Sequence, residues 1–176
     1  MEQSSMEEVY RLLGRGNQIL VTDFDKTLTK KGSSLYASVL VLGKDSSFGQ
    51  AREALYQHYK TRLPKEAEHW WKEQMELYLR EQILEDTLKE AAGLLKERTG
   101  CAGLLRTCML QNIPVWIVSA GLGNVIEFWL ENHGISKEKL HVLANYLIYE
   151  KQKPVAYTEI ITSWNKKKLF LSLIHI

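Results

Sequence analysis

Apolar residues along the chain form short continuous runs at three places and helical patterns elsewhere. The short runs are "QILV" just before Asp23, Val115 to Val118, and the segment around His141 to Ala144. Each run is typical of a short buried strand bounded by polar or glycine-rich residues. Between residues 46 and 98, apolar positions instead recur three or four apart, which predicts helices.

The order of these elements predicts the fold class. Strand, helical insertion, helix, strand, helix and strand is the order of an α/β protein with a parallel sheet and an α-helical cap inserted early. We expect residues 1–31 and 99–176 to form the core and residues 32–98 to form the cap. The segment "YLIYEKQKPVAYTEI" predicts a β-hairpin, and the N-terminal "MEQSSMEEVYRLL" predicts an amphipathic helix rather than a signal peptide.

Composition narrows the classes of partner. The chain has 176 residues and a net charge of +2, so its bulk electrostatics favour neither a nucleic-acid polymer nor a membrane as partner. Its apolar runs are shorter than the roughly 20 residues that a membrane span needs. Cys101 and Cys108 lie on one predicted helix, too far apart for a disulfide, which indicates reduced thiols in a cytoplasmic protein.

Two aspartates stand directly after the first predicted strand, in "TDFDKTLT". Ligands of such sheets bind beyond the carboxyl ends of the strands, and residues two apart in an extended chain point to the same side. Asp23 and Asp25 can therefore share one pocket, with Asp23 as a nucleophile for a phosphoryl group and Asp25 as the general acid and base. A Mg²⁺ ion bound by carboxylate and phosphate oxygens would offset the repulsion between the anions.

A second group of candidate residues follows the second predicted strand, in "SAGLG". Ser119 offers a hydroxyl, and Ala120 and Gly121 offer backbone N–H groups at a predicted helix N-terminus, where anions bind readily. A lysine charge would complete a phosphate site, and "SWNKKKLF" offers Lys166 to Lys168 for this role.

These segments resemble the motifs of the haloacid dehalogenase (HAD) superfamily of phosphohydrolases. "DFDKTLT" looks like motif I, whose pattern is DxDx[TV][LV], and "WIVSAG" looks like motif II, a strand that ends in Ser or Thr. More narrowly, "TDFDKTLT", "IPVWIVSAGLGNVIEFWL" and "WNK" are similar, in this order, to the cytosolic pyrimidine 5'-nucleotidase family. The likeness covers most of residues 17 to 168.

The resemblance implies a HAD-like Rossmannoid sheet with a helical cap and a Mg²⁺-dependent, cytoplasmic 5'-nucleotidase. Such an enzyme hydrolyses nucleoside 5'-monophosphates, here with a pyrimidine preference, through an aspartyl-phosphate. Asp23 would be the nucleophile and a metal ligand, and Asp25 would be the acid/base with its backbone carbonyl on the metal. The residues that would bind phosphate are Ser119, Ala120, Gly121 and Lys166. Lys167 takes the place of Lys166 if the register differs by one.

The chain departs from the family pattern in two places. Motif IV, a GD followed by another Asp, is absent before the sequence stops at "LFLSLIHI", so we expect a truncated chain with an incomplete sheet. Whether Leu171 to Ile176 are native sequence stays open. In the cap no carboxylate aligns near Thr61 and Arg62, where related nucleotidases read the base, and Trp70 and Trp71 belong either to a base platform or to the cap core.

Two other functions remain as alternatives. One is a phosphatase for another small phosphomonoester, such as phosphoserine, because motif I is common to both enzymes. The other is a non-catalytic fragment that lacks the motif IV metal ligands. The oligomeric state does not follow from the sequence.

Overall fold

A three-stranded parallel sheet forms the centre of the structure, a computed structural model that describes residues 18–63, 65–136 and 140–174. The described strands are β1 (Leu20–Thr22), β2 (Val115–Leu122), β3 (Leu140–Asn145), β4 (Leu147–Glu150) and β5 (Lys153–Tyr157). β2 lies between β1 and β3 and pairs with both in parallel, whereas β4 and β5 form a separate antiparallel hairpin. The three predicted strands and the hairpin are thus confirmed, and the predicted N-terminal helix lies outside the described residues.

Helices surround this sheet. The described α-helices are α1 (Ala37–Leu42), α2 (Ser47–Tyr59), α3 (Ala67–Arg80), α4 (Glu85–Leu94), α5 (Cys101–Leu110), α6 (Gly123–Asn132) and α7 (Lys166–Ile174). A 3₁₀ turn at Ser34–Tyr36 precedes α1. The first five described α-helices lie between β1 and β2 in the chain, and α4 packs against both α1 and α6. The division into a core and a cap stays a prediction, since one cluster of buried side chains includes both the helical segment and the sheet.

The second strand is longer than its sequence indicates. We expected it to end at Val118 and to lead into a helix through a glycine-rich turn. β2 instead extends to Leu122, with an irregular register against β3 after Val118, and α6 begins at Gly123. The segment Ser119–Gly121 therefore lies at the end of the strand rather than on the helix N-terminus.

The edge of the parallel sheet at β1 is partly exposed to solvent. β1 forms one edge of the parallel sheet, with β2 as its partner among the described residues, and Ile19 and Val21 beside this edge are 48% and 44% exposed. Both cysteines, Cys101 and Cys108, are free thiols, as the sequence predicts.

None of the described helices is long and apolar enough to cross a membrane.

A buried asparagine holds the carboxyl ends of two strands together. Asn145, at the end of β3, is 0% exposed. Its Nδ2 donates to the carbonyl oxygens of Ala120 and Ile161, both at 2.8 Å, and its Oδ1 accepts from the backbone N–H of Ile161 at 2.6 Å. One side chain thus joins β3, the end of β2 and the segment that leads to α7.

We expect Asn145→Ala to lower the free energy of unfolding by about 2–4 kcal/mol, because it leaves buried backbone groups without partners. Urea unfolding measures this change as a lower midpoint concentration of urea, while the slope of the unfolding free energy against urea concentration stays the same. The exposed Asn132 provides the control, since Asn132→Ala should change the stability by less than about 0.5 kcal/mol. Equal effects of the two substitutions would contradict the role of Asn145.

Candidate active site

The two aspartates at the end of β1 face the same side because the residue between them is fully buried. The Phe24 ring is 0% exposed and packs edge-to-face on Trp129 of α6, with 5.3 Å between ring centroids. In an extended backbone the neighbours of a core residue point away from the core. Asp23 and Asp25 therefore line a shared cavity on the opposite side of the strand end.

The backbone after Asp25 turns sharply and is fixed by local hydrogen bonds. The carbonyl oxygen of Phe24 accepts from the N–H groups of Thr27 and Leu28 at 3.1 and 2.9 Å. Lys26 has a φ of 60° and donates its N–H to the hydroxyl of the buried Thr29 at 3.0 Å. The sequence "DKTLT" thus forms a compact turn that leads the chain back over the site.

Two serines that the sequence analysis did not single out bind the Asp25 carboxylate. Ser33 donates from its hydroxyl to Oδ2 at 2.9 Å. Ser34 donates from its backbone N–H to Oδ1 at 2.7 Å and from its hydroxyl to Oδ2 at 3.2 Å. They follow Gly32, but no pattern in "KKGSSLY" distinguishes them from ordinary loop serines.

The surroundings of Asp25 act on its pKa in opposite directions. Burial is the largest effect and raises the pKa of the carboxyl above its ordinary value. The hydrogen bonds from Ser34 and Ser33 lower the pKa, and the nearby charge of Asp23 raises it. Burial prevails, so the protonated form of Asp25 is favoured more than in a solvated aspartate.

Near the end of β2, where its register against β3 is irregular, the segment Ser119–Gly121 forms a tight loop. Ser119 is 1% exposed, and its hydroxyl accepts from the N–H of Gly121 at 2.9 Å. We expected this N–H to be free for phosphate, whereas here it is bound within the loop. A Cβ on Gly121 would lie 2.1 Å from Ser34 Oγ and 2.9 Å from Asp25 Oδ2, so the close approach of the two loops depends on glycine at this position.

The predicted lysine reaches the first aspartate across the sheet end. Lys166 is the first residue of α7, and its Nζ lies 2.9 Å from Asp23 Oδ1 in an ion pair. The same Nζ donates to the carbonyl oxygen of Val118 at 3.3 Å. Lys167 and Lys168 are exposed, so the structure favours Lys166 among the three lysines.

A short loop fixes the position of Lys166. Asn165 accepts from the N–H of Thr162 at 2.6 Å through its Oδ1 and donates to the carbonyl oxygen of Ile160 at 3.0 Å. The Thr162 hydroxyl accepts from the N–H groups of Trp164 and Asn165, both at 3.2 Å. These bonds explain why an asparagine precedes the lysine in "WNK".

All of the predicted site residues lie around one cavity of about 190 Å³. Its wall consists of Asp23, Asp25, Trp70, Trp71, Ser119, Ala120, Gly121, Ser163 and Lys166. The two tryptophans come from α3 and are 9% and 7% exposed, with 5.1 Å between their ring centroids. They therefore belong to the core and also line the site.

The oxygen atoms at this cavity have the chemistry that Mg²⁺ requires, but few of them are carboxylates. Both Asp25 oxygens accept hydrogen bonds from serines, which leaves the Asp23 carboxylate and the Asp25 backbone carbonyl as candidate ligands. The described residues contain no group of three or more His, Cys, Asp or Glu that could hold a metal ion. Mg²⁺ commonly takes one or two carboxylates and completes its shell with water and substrate phosphate, so these two groups would hold it here.

Solved structures with a similar fold belong to phosphatases and related hydrolases. A structure of cytosolic 5'-nucleotidase IIIB bound to cytidine superposes with a TM-score of 0.62 at 19% identity, covering 82% of this chain and 55% of that one. A HAD-family hydrolase from Salmonella enterica gives 0.69 at 15% identity, with 90% and 51% covered. A substrate-bound phosphoserine phosphatase gives 0.64 at 15% identity, with 91% and 71% covered.

The fold is therefore that of the HAD-type phosphatases, an α/β fold with a parallel sheet, as predicted. A family model described as pyrimidine 5'-nucleotidase (UMPH-1) matches residues 53–172, which is more than half of the chain. The chain belongs to this pyrimidine 5'-nucleotidase family.

Curated relatives carry nucleotidase names. A human 7-methylguanosine phosphate-specific 5'-nucleotidase is 25% identical, over 76% of this chain and 51% of the relative. A putative cytosolic 5'-nucleotidase 3 from Caenorhabditis elegans is 24% identical, over 78% of this chain and 42% of the relative. The chain thus spans about half the length of the curated relatives it matches.

We expect Gly121→Ala to disturb the site, because the added methyl group would overlap the Ser34 hydroxyl. The loop must shift, which should lower the free energy of unfolding by about 1–3 kcal/mol. Gly103→Ala is the matched control, since a Cβ there meets no atom within 4 Å and a helical alanine should be neutral or stabilising. Urea unfolding of both variants tests the prediction, and an unaffected Gly121→Ala protein would contradict it.

Proposed function

We propose that this protein is a Mg²⁺-dependent 5'-nucleotidase that hydrolyses nucleoside 5'-monophosphates, with pyrimidine nucleotides preferred. The observation that carries the proposal is the single cavity that Asp23, Asp25, Ser119 and Lys166 line together. A nucleophile, a second carboxyl group, a hydroxyl and a lysine are the groups that transfer of a phosphoryl group to an aspartate requires. Membership of the pyrimidine 5'-nucleotidase family supports the same reaction.

In the first step, Asp23 attacks the phosphorus atom and forms a bond from one carboxylate oxygen. The bond between phosphorus and the nucleoside 5'-oxygen breaks, and Asp25 gives its proton to that oxygen. In the second step, Asp25 takes a proton from a water molecule, whose oxygen attacks the phosphorus and releases Asp23 and inorganic phosphate. When bound, Mg²⁺ supplies positive charge that offsets the charge of the carboxylate and phosphate oxygens.

Lys166 has two successive roles in this proposal. Without substrate its ammonium group neutralises Asp23 at 2.9 Å and holds that carboxylate at the cavity wall. A phosphate group that enters the cavity brings further negative oxygens within reach of the same Nζ. Because a lysine ammonium has three donors, it can bind a phosphate oxygen and keep its contact with Asp23. The Ser119 hydroxyl and the N–H group of Ala120 complete the phosphate site, and the Gly121 N–H supports it by donating to the Ser119 hydroxyl.

The nucleoside would extend from the phosphate towards the two tryptophans. A cavity of about 190 Å³ is smaller than the roughly 300–1,000 Å³ of typical small-molecule pockets, so it suits the phosphate end of the substrate. Trp70 and Trp71 line its wall, and the buried Trp70 Nε1 has no hydrogen-bond partner in the described part of the chain. The cytidine in one similar structure supports a pyrimidine ligand.

We place this activity in the cytosol. The support is the name of the Caenorhabditis elegans relative, a putative cytosolic 5'-nucleotidase, together with the two cysteines, which form no disulfide with each other.

A substrate screen tests the reaction. Purified protein with Mg²⁺ should release more phosphate from uridine and cytidine 5'-monophosphates than from purine nucleotides, phosphoserine or glucose 6-phosphate. A preference for phosphoserine or the phosphosugar would replace the nucleotidase proposal by that of another phosphatase. Phosphate release from none of these compounds would indicate a non-catalytic protein.

We expect Asp23→Asn to abolish turnover, by at least about 10³-fold in kcat, because an amide oxygen is a far weaker nucleophile than a carboxylate. Phosphate release from the best substrate of the screen measures the loss. The exposed Asp45 offers the control, and Asp45→Asn should keep wild-type kcat. Substantial residual turnover by Asp23→Asn would remove Asp23 from its role.

Lys166→Ala should raise KM and lower kcat/KM by about 10²-fold, because a charge-assisted contact to phosphate of about 1.5–3 kcal/mol is lost. The neighbouring Lys167 provides a matched control, since it is exposed and absent from the wall of this cavity. Lys167→Ala should keep kcat/KM within about twofold of wild type, as expected for a surface substitution. The reverse order of effects would assign the phosphate contact to Lys167.

A further inference from the structure

Ser34 connects the proposed general acid to the end of the second strand. It is the first residue of the 3₁₀ turn and is 0% exposed. Its N–H and hydroxyl donate to the two oxygens of the Asp25 carboxylate, at 2.7 and 3.2 Å. The same hydroxyl oxygen accepts from the backbone N–H of Leu122 at 2.9 Å. One serine therefore contacts both loops of the site.

These contacts fix the rotation of the carboxyl group. A carboxyl group bound at both oxygens keeps a single orientation relative to the turn that binds it, and the Ser34 hydroxyl also fixes that orientation relative to β2. Ser33 contributes one bond to Oδ2, whereas the hydrogen bond to β2 comes from Ser34. The bond from Leu122 directs the Ser34 oxygen, because it occupies an acceptor position and leaves the hydroxyl hydrogen for Asp25.

Gly121 makes this arrangement possible. The absence of a Cβ at this position leaves room for the Ser34 hydroxyl, which would otherwise lie 2.1 Å from it. The residues that bind phosphate and the residue that orients the acid are thus packed against one another. A displacement of either loop changes the position of the other.

We propose that Ser34 is a positioning residue, which orients Asp25 for proton transfer and ties it to the end of β2 through Leu122. This role rests on the proposed function, because it requires Asp25 to act on the leaving oxygen. Proton transfer depends steeply on the position of the acid, so loss of the Ser34 hydroxyl should affect the chemical step more than substrate binding.

Steady-state kinetics with the best nucleotide substrate test the catalytic part. Ser34→Ala keeps the bonds of the residue 34 N–H to Oδ1 and of Ser33 to Oδ2, but it frees the Asp25 carboxyl group from β2. It should therefore lower kcat by about 10-fold and change KM by less than about twofold. Ser34→Thr keeps the hydroxyl and should recover most of this loss, and Ser33→Ala should lower kcat less than Ser34→Ala. Ser38→Ala is the matched control, because Ser38 is an equally buried serine in α1 whose hydroxyl contacts Tyr78 instead of Asp25. It should keep wild-type kcat.

Amide hydrogen exchange tests the structural part without any turnover. The Leu122 N–H should exchange at least about tenfold faster in Ser34→Ala than in the wild-type protein, because its acceptor is removed. It should exchange at the wild-type rate in Ser33→Ala and Ser38→Ala. The same rate in wild type and Ser34→Ala would show that the link to β2 is wrong, whatever the activity.

The outcomes separate this inference from the proposed function. A wild-type protein that hydrolyses no phosphomonoester would overturn the nucleotidase proposal and, with it, the catalytic role of Ser34. An active wild type with an unchanged Ser34→Ala variant would overturn the Ser34 inference alone. A parallel rise in KM and fall in kcat would also contradict it, since that pattern indicates general damage to the site. Thermal unfolding of each variant identifies such damage directly.

Discussion

The arrangement of this site depends on the burial of one phenylalanine. Phe24 fills the core against Trp129, and the short strand β1 leaves its two neighbours no other direction than the cavity. Two carboxyl groups in one small cavity repel each other, so this geometry is unfavourable unless other groups compensate for it. The remaining parts of the site can be understood as that compensation.

The two carboxyl groups are stabilised in different ways. Asp23 has a full positive charge beside it, from Lys166 at 2.9 Å. Asp25 has only neutral hydrogen-bond donors, from Ser33 and Ser34, and burial raises its pKa. Burial favours the protonated form of a carboxyl group. In the proposed reaction, Asp23 with a cation beside it is the nucleophile, and Asp25, whose burial favours the proton, is the acid.

The sequence predicts the parts of the site that follow from local patterns. Short apolar runs locate the strands, and the spacing of Asp23 and Asp25 places them on one side. The contacts of Ser34 and Asn145 could not be predicted, because each joins segments far apart in the chain and neither residue belongs to a periodic pattern. The internal bond between Gly121 and Ser119 was missed for a related reason, since the strand β2 continues past Val118 where its apolar run ends. Long-range contacts of single polar residues depend on the assembled fold.

The residues that line the proposed phosphate end of this cavity and those that line its proposed nucleoside end come from different parts of the chain. Asp23 and Ser119 lie at or near the ends of strands, and Lys166 lies at the start of α7. The same fold occurs in a phosphoserine phosphatase. Identity of 15% to that structure shows a common fold alone, and in the proposed function the choice of substrate comes from residues outside the phosphate site. Trp70 and Trp71 on α3 are the described residues at the cavity wall that belong to the helical segment. In the proposed function, substrate preference can therefore change through this helix without any change in Asp23, Ser119 or Lys166, because the two sets of residues share a cavity but not a structural element.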